Sequence, residues 1–255
     1  MPSLSSVKKS LQVLQSFSPD HPERSVTEMS RLLNTHKSSI SRILRTLAAE
    51  GFVERNALNG KYRLGLKLLE LANQVLGRYE LRDLAASCME ALARETGEIV
   101  HLAVLDKADI VYLEKKGGGQ TLTVATKVGG RNPAHASAMG KVLLSGLSPE
   151  GLDDVLTWGS LARLTPRTII ERERLLKELQ QVREQRLAVD DEESFPGIRC
   201  VAAPIQGAGG EVIAAVSVTV PKQRMRRQRM EEIGKHVIKT ARLISECVAR
   251  GRLEG

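Results

Sequence analysis

The chain has 255 residues, which is long enough for two domains that each bury a hydrophobic core. Its formal net charge of +8 favours polyanionic partners, and its longest uncharged run, residues 200–210, is too short to cross a membrane. The three cysteines, Cys88, Cys200 and Cys247, have neither metal-ligand nor C-x-x-C spacing, which predicts free thiols in a reducing cytoplasm and no metal or other cofactor.

The N-terminal part begins with two predicted helices. Residues 11–17 (LQVLQSF) are amphipathic, unlike the apolar core of a signal peptide. Ser25 and Glu28 have the spacing of a capping box at the start of the second helix. The apolar face of this helix consists of Val26, Met29, Leu32 and Leu33. Only residues 34–36 separate it from the next helix, a length that a helix-turn-helix allows.

A third helix is predicted from His36 to Glu50. Its apolar residues recur at i, i+3, i+4 and i+7, at Ile40, Ile43, Leu44 and Leu47. Successive helix residues are rotated by roughly 100°, so Ser38, Arg42 and Arg45 lie opposite this buried stripe. The third helix therefore presents a hydroxyl and two guanidinium groups to the outside.

A β-hairpin is predicted after this helix. Residues 52–55 (FVER) and 61–64 (KYRL) flank the dipeptide Asn59-Gly60, which is typical of tight hairpin turns. Two helices, a short turn and a hairpin together form the layout of a winged helix-turn-helix, with the hairpin as the wing.

This layout predicts DNA binding. An α-helix fits the major groove, where arginine makes bidentate contacts to guanine, so Arg42 and Arg45 are the candidate base readers. Free N–H groups and small donors near the helix N-terminus suit phosphate oxygens; the candidates there are Thr35, Lys37, Ser38 and Ser39. On the wing, Lys61 and Arg63 would contact the DNA backbone or the minor groove. The alternative is an ordinary solvated helix whose arginines are plain surface residues.

The distribution of charge agrees with this prediction. Residues 1–80 carry 12 Lys+Arg and 7 Asp+Glu, a net charge of +5, whereas the remaining 175 residues carry 26 and 23, a net charge of +3. More than half of the excess positive charge therefore lies in less than a third of the chain, although charge alone would not indicate DNA binding.

The sequence becomes strongly helical after Gly65. We predict a linker helix over residues 66–80 and a further helix from Leu81 to Thr96, which begins the larger domain. Such a connector in a regulator usually carries a dimer contact. The alternative is that its apolar face simply packs between the two domains.

From Ile99 onward the pattern predicts short strands and several helices. The predicted strands are residues 99–106, 109–116, 121–127, 200–206 and 211–220, with the first two joined around Lys107-Ala108. The predicted helices are residues 137–145, 149–156, 169–186 and 223–250. Strands paired in sequence with helices between and after them predict an α+β fold with an antiparallel sheet.

Three segments of the larger domain carry a resemblance to a known family. They are residues 131–145 (RNPAHASAMGKVLLS), 188–205 (AVDDEESFPGIRCVAAPI) and 217–221 (SVTVP). With the winged helix-turn-helix and the linker before them, they make the chain similar to the IclR family of bacterial transcriptional regulators over nearly its whole length. The resemblance implies a GAF-like second domain that binds a small organic effector, commonly a carboxylate or an aromatic acid. It also implies a dimer or a dimer of dimers that represses or activates operons.

The resemblance also implies the position of the effector. Ala138 and Met139 match a loop whose backbone N–H groups, at a helix start, receive the anionic end of the ligand, which suits a helix N-terminus. The other matching positions are Asp190 and Cys200 beside the loop, Ser217 and Thr219 on one strand, and Val124, Asn132 and Ile198 around an apolar lid. The sequence departs from the family at Arg186-Leu187, where relatives tend to have Gly-Tyr.

Asp190 poses an electrostatic problem in such a pocket. Its carboxylate would repel an anionic effector unless it accepts a hydrogen bond from the ligand or becomes protonated. This favours an effector with a hydroxyl group or a hydrated carbonyl next to its carboxylate. In the simpler alternative, Asp190 is a loop cap, Cys200 a small buried hydrophobe, and the two strand hydroxyls ordinary sheet residues.

Two other functions are suggested by parts of the sequence. Cys200 with His101 or His135 could form the nucleophile–base pair of a hydrolase fused to a DNA-binding module, but no nucleophile elbow or metal spacing is present. The basic run 221–230 (PKQRMRRQRM) could belong to an architectural DNA binder without a ligand, although Glu231 and Glu232 follow it directly.

We therefore predict three regions: a DNA-binding domain over residues 1–65, a linker helix over 66–80, and an effector-binding and oligomerisation domain over 81–255. The predicted partners are double-stranded operator DNA, a small organic acid and a second copy of the chain. No enzymatic activity and no membrane association are expected.

Overall fold

The computed structural model describes residues 4–76, 80–117 and 126–251. The chain divides into two compact units, Met1–Arg78 and Tyr79–Gly255. In the described ranges, no helix is both long enough and apolar enough to cross a membrane.

The first unit contains three helices around a small core. These are α1 (Ser5–Gln15), α2 (Val26–Leu32) and α3 (Lys37–Ala49). The predicted capping box at the start of α2 is present, since Ser25 and Glu28 exchange both hydrogen bonds. The core consists of Val13, Met29, Ile40, Leu44, Val53 and Tyr62. The connection between α2 and α3 has one residue more than the sequence predicts, because α2 ends at Leu32 and Leu33 caps it.

A two-stranded antiparallel sheet completes the wing. It consists of β1 (Val53–Arg55) and β2 (Tyr62–Leu64), with Glu54 opposite Arg63. The predicted hairpin is present, but its connection is longer than a tight turn at Asn59-Gly60. Six residues, 56–61, connect the strands, and Gly60 N–H donates to the Asn56 carbonyl across this loop. Only Gly60 of the connection has a positive φ, of 69°, whereas a two-residue type I′ turn needs two such residues.

One further helix, α4 (Lys67–Leu76), follows the wing within the first unit. It corresponds to the predicted linker helix. Several of its large apolar side chains are exposed, including Leu69 and Val75.

The second unit is built on a six-stranded antiparallel sheet. Its strands are β3 (Ile99–Asp106), β4 (Asp109–Lys116), β5 (Arg131–Pro133), β6 (Ala188–Asp191), β7 (Ile198–Gln206) and β8 (Val212–Pro221). Their spatial order is β5-β4-β3-β8-β7-β6. The first of these strands in chain order, β3, and the last, β8, therefore pair with each other at the centre of the sheet.

Helices cover both faces of this sheet. They are α5 (Glu80–Thr96), α6 (Ala138–Ser145), α7 (Pro149–Trp158), α8 (Arg172–Gln185) and α9 (Arg227–Gly251). Gly234 of α9 lies over Val201, whereas the neighbouring Ala202 belongs to the core that contains Ala138 and Met139 of α6. Because successive strand residues point to opposite faces, α9 and α6 lie on opposite sides of the sheet.

Several boundaries of the second unit differ from those predicted from the sequence. The short strands β5 and β6 were not predicted, α8 begins at Arg172 and not at Ile169, and α9 begins at Arg227 because residues Lys222–Arg224 form a 3-10 turn. Of the strand predicted over 121–127, residues 121–125 lie outside the described ranges, and residues 126 and 127 are not in a strand.

Candidate functional site

The outer face of α3 has the exposure that the sequence predicts. Ile40 and Leu44 are completely buried, whereas Lys37, Ser38, Arg42 and Arg45 are exposed. Within the described ranges, the side chains of Arg42 and Arg45 make no hydrogen bond or ion pair. Two uncommitted guanidinium groups on one face of a helix can bind bases or phosphates without breaking an internal contact.

The turn before α3 is fixed by its own hydrogen bonds. Ser30 and Thr35 are joined by two of them, from Thr35 N–H to the Ser30 carbonyl (3.0 Å) and from Ser30 Oγ to the Thr35 carbonyl (2.7 Å). The Thr35 hydroxyl donates to the Leu33 carbonyl at 3.0 Å, so its lone pairs, and not its proton, face outward. Ser39, directly after the exposed Ser38, is half-buried. Thr35 is thus committed to the turn more than the sequence suggests.

The cations of the wing are paired with carboxylates of the same unit. Lys61 Nζ lies 3.5 Å from Glu28, and Arg63 Nη2 lies 2.9 Å from Glu54. All four side chains are well exposed, so each ion pair contributes little to stability. Such pairs can exchange their carboxylate for a phosphate at little cost.

The second unit contains a small cavity between the sheet and the start of α6. Eight of the nine predicted effector positions line it: Asn132, Ala138, Met139, Asp190, Ile198, Cys200, Ser217 and Thr219. The ninth, Val124, lies outside the described residues. The volume is about 20 Å³, enough for one water-sized group in this conformation.

The register of the sheet explains why the polar residues converge. Asp190 pairs with Cys200, Cys200 with Thr219, and Ser217 with His101, so all of these side chains occupy one face. This is the face on which α6 packs. The floor of the cavity is therefore a row of small polar side chains across β6, β7 and β8.

The N-terminus of α6 forms another wall. Ser137 caps the helix, accepting from Gly140 N–H at 3.1 Å. The backbone N–H groups of Ala138 and Met139 precede the first intrahelical bond and have no acceptor within the helix. A Cβ at Gly140 would lie 2.0 Å from the Ala134 carbonyl oxygen, so only glycine lets the helix start this close to the preceding turn. Two N–H groups with the helix dipole behind them suit a carboxylate.

Asp190 is buried at the opposite side of the cavity. Its Oδ1 accepts from the backbone N–H groups of Glu193 (2.7 Å) and Ser194 (3.3 Å). Burial raises the pKa of Asp190 to about 6, against the opposing backbone hydrogen bond from Glu193. Asp190 can therefore take up a proton near neutral pH, which removes the repulsion of an anionic ligand.

The two strand hydroxyls differ in their partners. Ser217 Oγ is buried and has no hydrogen-bond partner among the described residues. Thr219 Oγ1 lies 3.3 Å from both Cys200 Sγ and His101 Nδ1. An unpaired buried hydroxyl costs free energy, so Ser217 is the pocket residue that gains most from a polar ligand.

His101 lies on the same face of the sheet, beside Thr219, but does not line the cavity. Its Nε2 lies 2.8 Å from Thr126 Oγ1, and its ring is tilted against Tyr112 with the centroids 5.1 Å apart. Burial and the nearby Lys115 ammonium lower the pKa of His101 to about 3. The imidazole is therefore neutral and carries one N–H, so it can donate to only one of Thr126 and Thr219.

Five further lining residues were missed by the sequence: Tyr112, Thr126, Ser137, Ser194 and Phe195. Asn132 Nδ2 donates to Ser194 Oγ at 3.1 Å, and Ser194 Oγ donates to the Ala136 carbonyl at 2.7 Å. Phe195 is 46% exposed although it lines the cavity. Phe195 follows the Asp190 turn directly and could have been inferred from that proximity, but nothing local marks Tyr112.

The structure does not support a thiol nucleophile. Burial raises the pKa of the Cys200 thiol well above its usual range, and His101 is neutral with the Thr219 hydroxyl between the two groups. His135 donates from Nε2 to the Ala162 carbonyl at 3.0 Å. A thiolate–imidazolium pair is therefore disfavoured at Cys200.

The basic run that begins at Pro221 is largely neutralised within its own unit. Lys222 pairs with Glu192, whereas Arg224 and Arg229 both pair with the buried Glu98. These cations hold α9 and the preceding turn to the sheet. They contribute to the fold, so the run is not by itself a DNA-binding arm.

Comparison with known proteins gives matches over both units. Residues 6–57 match the model of the IclR helix-turn-helix domain, and residues 73–246 match that of the bacterial transcriptional regulator IclR C-terminal domain. The HTH-type transcriptional regulator XynR of Escherichia coli strain K12 is 38% identical over 225 residues, which cover 88% of this chain and 89% of XynR.

Solved structures match the fold over almost the whole chain. The IclR protein of Thermotoga maritima is 29% identical, with a TM-score of 0.79, over 97% of this chain and 100% of that one. An IclR homologue of Microbacterium hydrocarbonoxydans, solved as a complex with 4-hydroxybenzoate, is 27% identical, with a TM-score of 0.83, over 95% and 98% of the two chains. The predicted α+β fold is confirmed.

Proposed function

The chain belongs to the IclR family of bacterial transcriptional regulators, which bind DNA through the N-terminal domain and carry a C-terminal effector domain. We propose that it is a regulator whose affinity for an operator changes when a small organic acid occupies the cavity beside α6. The observation that supports this most directly is the convergence of eight predicted positions on one cavity. We place the protein in the bacterial cytoplasm, where its operator lies.

Arg42 and Arg45 are proposed to read base edges in the major groove. Both are exposed on the face of α3 opposite Ile40 and Leu44, and neither is held by an internal partner among the described residues. Lys37, Ser38 and Ser39 at the start of α3, with Thr35 just before it, are proposed to contact phosphates. Lys61 and Arg63 of the wing would leave Glu28 and Glu54 to contact the DNA backbone.

The effector is proposed to be a carboxylate with a hydroxyl group. The N–H groups of Ala138 and Met139 would donate to its anionic end, and Ser217 would gain the hydrogen bond it lacks. Asp190 would accept from a ligand hydroxyl or take up a proton. The Tyr112 and Phe195 rings beside the cavity also suit a compact aromatic acid, and 4-hydroxybenzoate, bound by the Microbacterium relative, has both groups.

Effector binding must rearrange the lining. A cavity of about 20 Å³ admits only a water-sized group, so an organic acid has to displace side chains such as the half-exposed Phe195. The turn that carries Phe195 is tied to α6 through Glu193 and Lys141. Occupation of the cavity would thus shift the balance between two arrangements of the effector domain, and a coupling of about 1–3 kcal/mol to the DNA-binding domain would suffice for regulation.

Self-association is proposed to bring two recognition helices to one operator. Exposed apolar side chains lie along α1 at i, i+3 and i+7 (Leu4, Val7 and Leu11). Others lie along α4 (Leu66, Leu69 and Val75). Such stripes on a DNA-binding unit support a dimer that would match a partly palindromic site. The mass of the purified protein in solution, measured by sedimentation, tests this part directly.

The effector proposal is tested by thermal unfolding of the purified protein with a panel of aliphatic hydroxy acids, keto acids and benzoates. A ligand at 100 times its dissociation constant should stabilise the fold by about 2.7 kcal/mol. Thr219→Val should abolish the stabilisation, whereas the matched control Thr157→Val, on the exposed face of α7, should keep it. Equal stabilisation of both variants would place the ligand elsewhere.

A further inference from the structure

Leu58 occupies the tip of the wing. Its side chain is 97% exposed, the largest exposed fraction of any large apolar side chain in the described parts of the chain. An isolated exposed leucine needs no explanation by itself. The loop around it, however, is fixed to an unusual degree.

Two asparagines and one carboxylate hold this loop. Asn56 Oδ1 accepts from Leu58 N–H, and Asn59 Oδ1 accepts from Lys61 N–H, both at 2.9 Å. The amide groups of the same two asparagines donate to the two oxygens of Glu23, at 2.9 Å and 2.8 Å. These bonds lower the pKa of Glu23, so the carboxylate stays ionised and keeps both contacts. The leucine is presented outward on a preorganised loop, not on a flexible one.

The charges of the hairpin indicate which partner such a leucine would meet. Arg55 and Arg63 are exposed on the two strands, and Lys61 borders the loop. Among the described residues, Arg55 is held only by the Gly60 carbonyl. Arg63 and Lys61 pair with exposed carboxylates that a phosphate can replace. A polyanion fits this surround better than the face of another protein does. In double-stranded DNA, one place that accepts an apolar side chain is the space between two stacked base pairs, which is reached from the minor groove.

We propose that Leu58 enters the minor groove of bound DNA as an apolar wedge, partly unstacks one base step and bends the duplex, with Glu23 holding the wedge in position. The proposal goes beyond the recognition by α3 and assigns Leu58 and Glu23 to deformation of the DNA. Preorganisation matters because unstacking costs energy, and a mobile loop would add an ordering cost to it.

The test uses full-length protein and a duplex selected from a random pool by the protein itself. Bending is measured by energy transfer between dyes at the two ends, and unstacking by 2-aminopurine placed in turn at each step. Wild-type protein should bend the duplex and brighten one step. Leu58→Ala should lose both signals and about tenfold in affinity, whereas Leu58→Met, which keeps an apolar side chain, should restore both.

Two further variants separate this idea from DNA binding in general. Glu23→Ala keeps the leucine but releases both asparagines, so it should reduce the bend. Its loss of thermal stability should be smaller than that of a core substitution. An unchanged bend would refute the positioning role of Glu23. Leu243→Ala, which truncates a partly exposed leucine of α9 in the other unit, should leave the bend and the affinity unchanged. Leu58→Ala protein that bends DNA like the wild type would overturn the proposal. A Leu58→Ala variant that keeps the bend but changes the oligomer mass of the protein would overturn it as well. Neither result would touch the role of Arg42, which is measured by loss of binding.

Discussion

Lys141 and Glu193 form an ion pair in the interior of the effector domain. Lys141 is completely buried on α6, and its Nζ lies 2.7 Å from Glu193 Oε1 and 3.0 Å from Glu178. Glu193 belongs to the turn whose backbone N–H groups bind Asp190. The pair therefore ties the helix at one wall of the cavity to the turn at the other wall.

Replacing Lys141 by Met should destabilise the effector domain by about 3–5 kcal/mol at pH 7.5, because removal of one partner leaves a buried charge unpaired. Burial already raises the pKa of Glu193, and loss of the ammonium would raise it further. The folded-state pKa then exceeds the unfolded one, so the penalty grows as pH rises and shrinks as pH falls. Urea unfolding at pH 7.5 and 5.5 measures both effects. Lys177→Met, on the exposed face of α8, should change stability by less than about 0.5 kcal/mol. A pH-independent loss in Lys141→Met would contradict the ion-pair explanation.

Asp190 should make binding of an anionic effector pH-dependent. Its pKa of about 6 means that protonation before binding becomes costly above about pH 6, by about 1.4 kcal/mol per pH unit. Affinity for the acid found in the thermal panel should therefore rise about 25-fold between pH 7.5 and 5.5, in a range where the ligand carboxylate stays ionised.

Asp190→Asn supplies the control for this pH dependence. The amide is neutral and can still donate, so the variant should bind the acid at pH 7.5 with little dependence on pH. Isothermal titration in two buffers of different ionisation enthalpy would also detect the proton uptake of the wild type. A pH slope that persists in Asp190→Asn would assign the titration to another group.

Arg42→Ala should weaken binding to the selected operator by about 1–3 kcal/mol and relax the preference at one base pair. Anisotropy titrations on the operator and on random duplex measure the two terms separately. Lys61→Ala should weaken binding to both duplexes alike. It should also reduce the slope of log affinity against log salt concentration by about one counterion. If Arg42→Ala lost equal affinity on both duplexes, Arg42 would be a phosphate contact.

The exposure pattern of α3 could be predicted from sequence because a 3.6-residue period places Ile40 and Arg42 on different faces whatever the rest of the chain does. The cavity floor required more information. Ser217 and Thr219 share a face by strand periodicity, but only the pairing of β6, β7 and β8 sets Asp190 and Cys200 beside them. The family resemblance supplied that relation in place of geometry.

The residues that were missed depend on contacts between distant segments. Tyr112 reaches the cavity from β4, and Ser194 is positioned by Asn132, 62 residues away. The wing loop was misjudged for a similar reason, since the dipeptide Asn59-Gly60 favours a tight turn and Glu23 lies far away in sequence. The local turn propensity is overridden because a carboxylate remote in sequence accepts hydrogen bonds from the asparagine side chains of the loop.

Arg186 holds a strained backbone conformation at the end of α8. It caps this helix with φ of 53°, in the left-handed region that favours glycine. Arg186→Gly should stabilise the protein by about 0.5–1 kcal/mol, since relief of the Cβ clash outweighs the entropy that glycine adds to the unfolded chain. Arg183→Gly, in the last turn of the same helix, should instead destabilise it, because Arg183 donates to the Ser145 and Leu147 carbonyls. A loss of stability in Arg186→Gly, read from urea unfolding, would show that the side chain has a stabilising contact in solution.

The coupling between the cavity and the operator is measured by the affinity of the full-length protein for its operator with and without a saturating effector. We expect the dissociation constant to change by about 5- to 150-fold, and the effector affinity to change by the same factor when operator is present, because linkage is reciprocal. Thr219→Val should abolish the change while keeping the affinity of the effector-free protein. An operator affinity that does not move when the cavity is saturated would contradict the account.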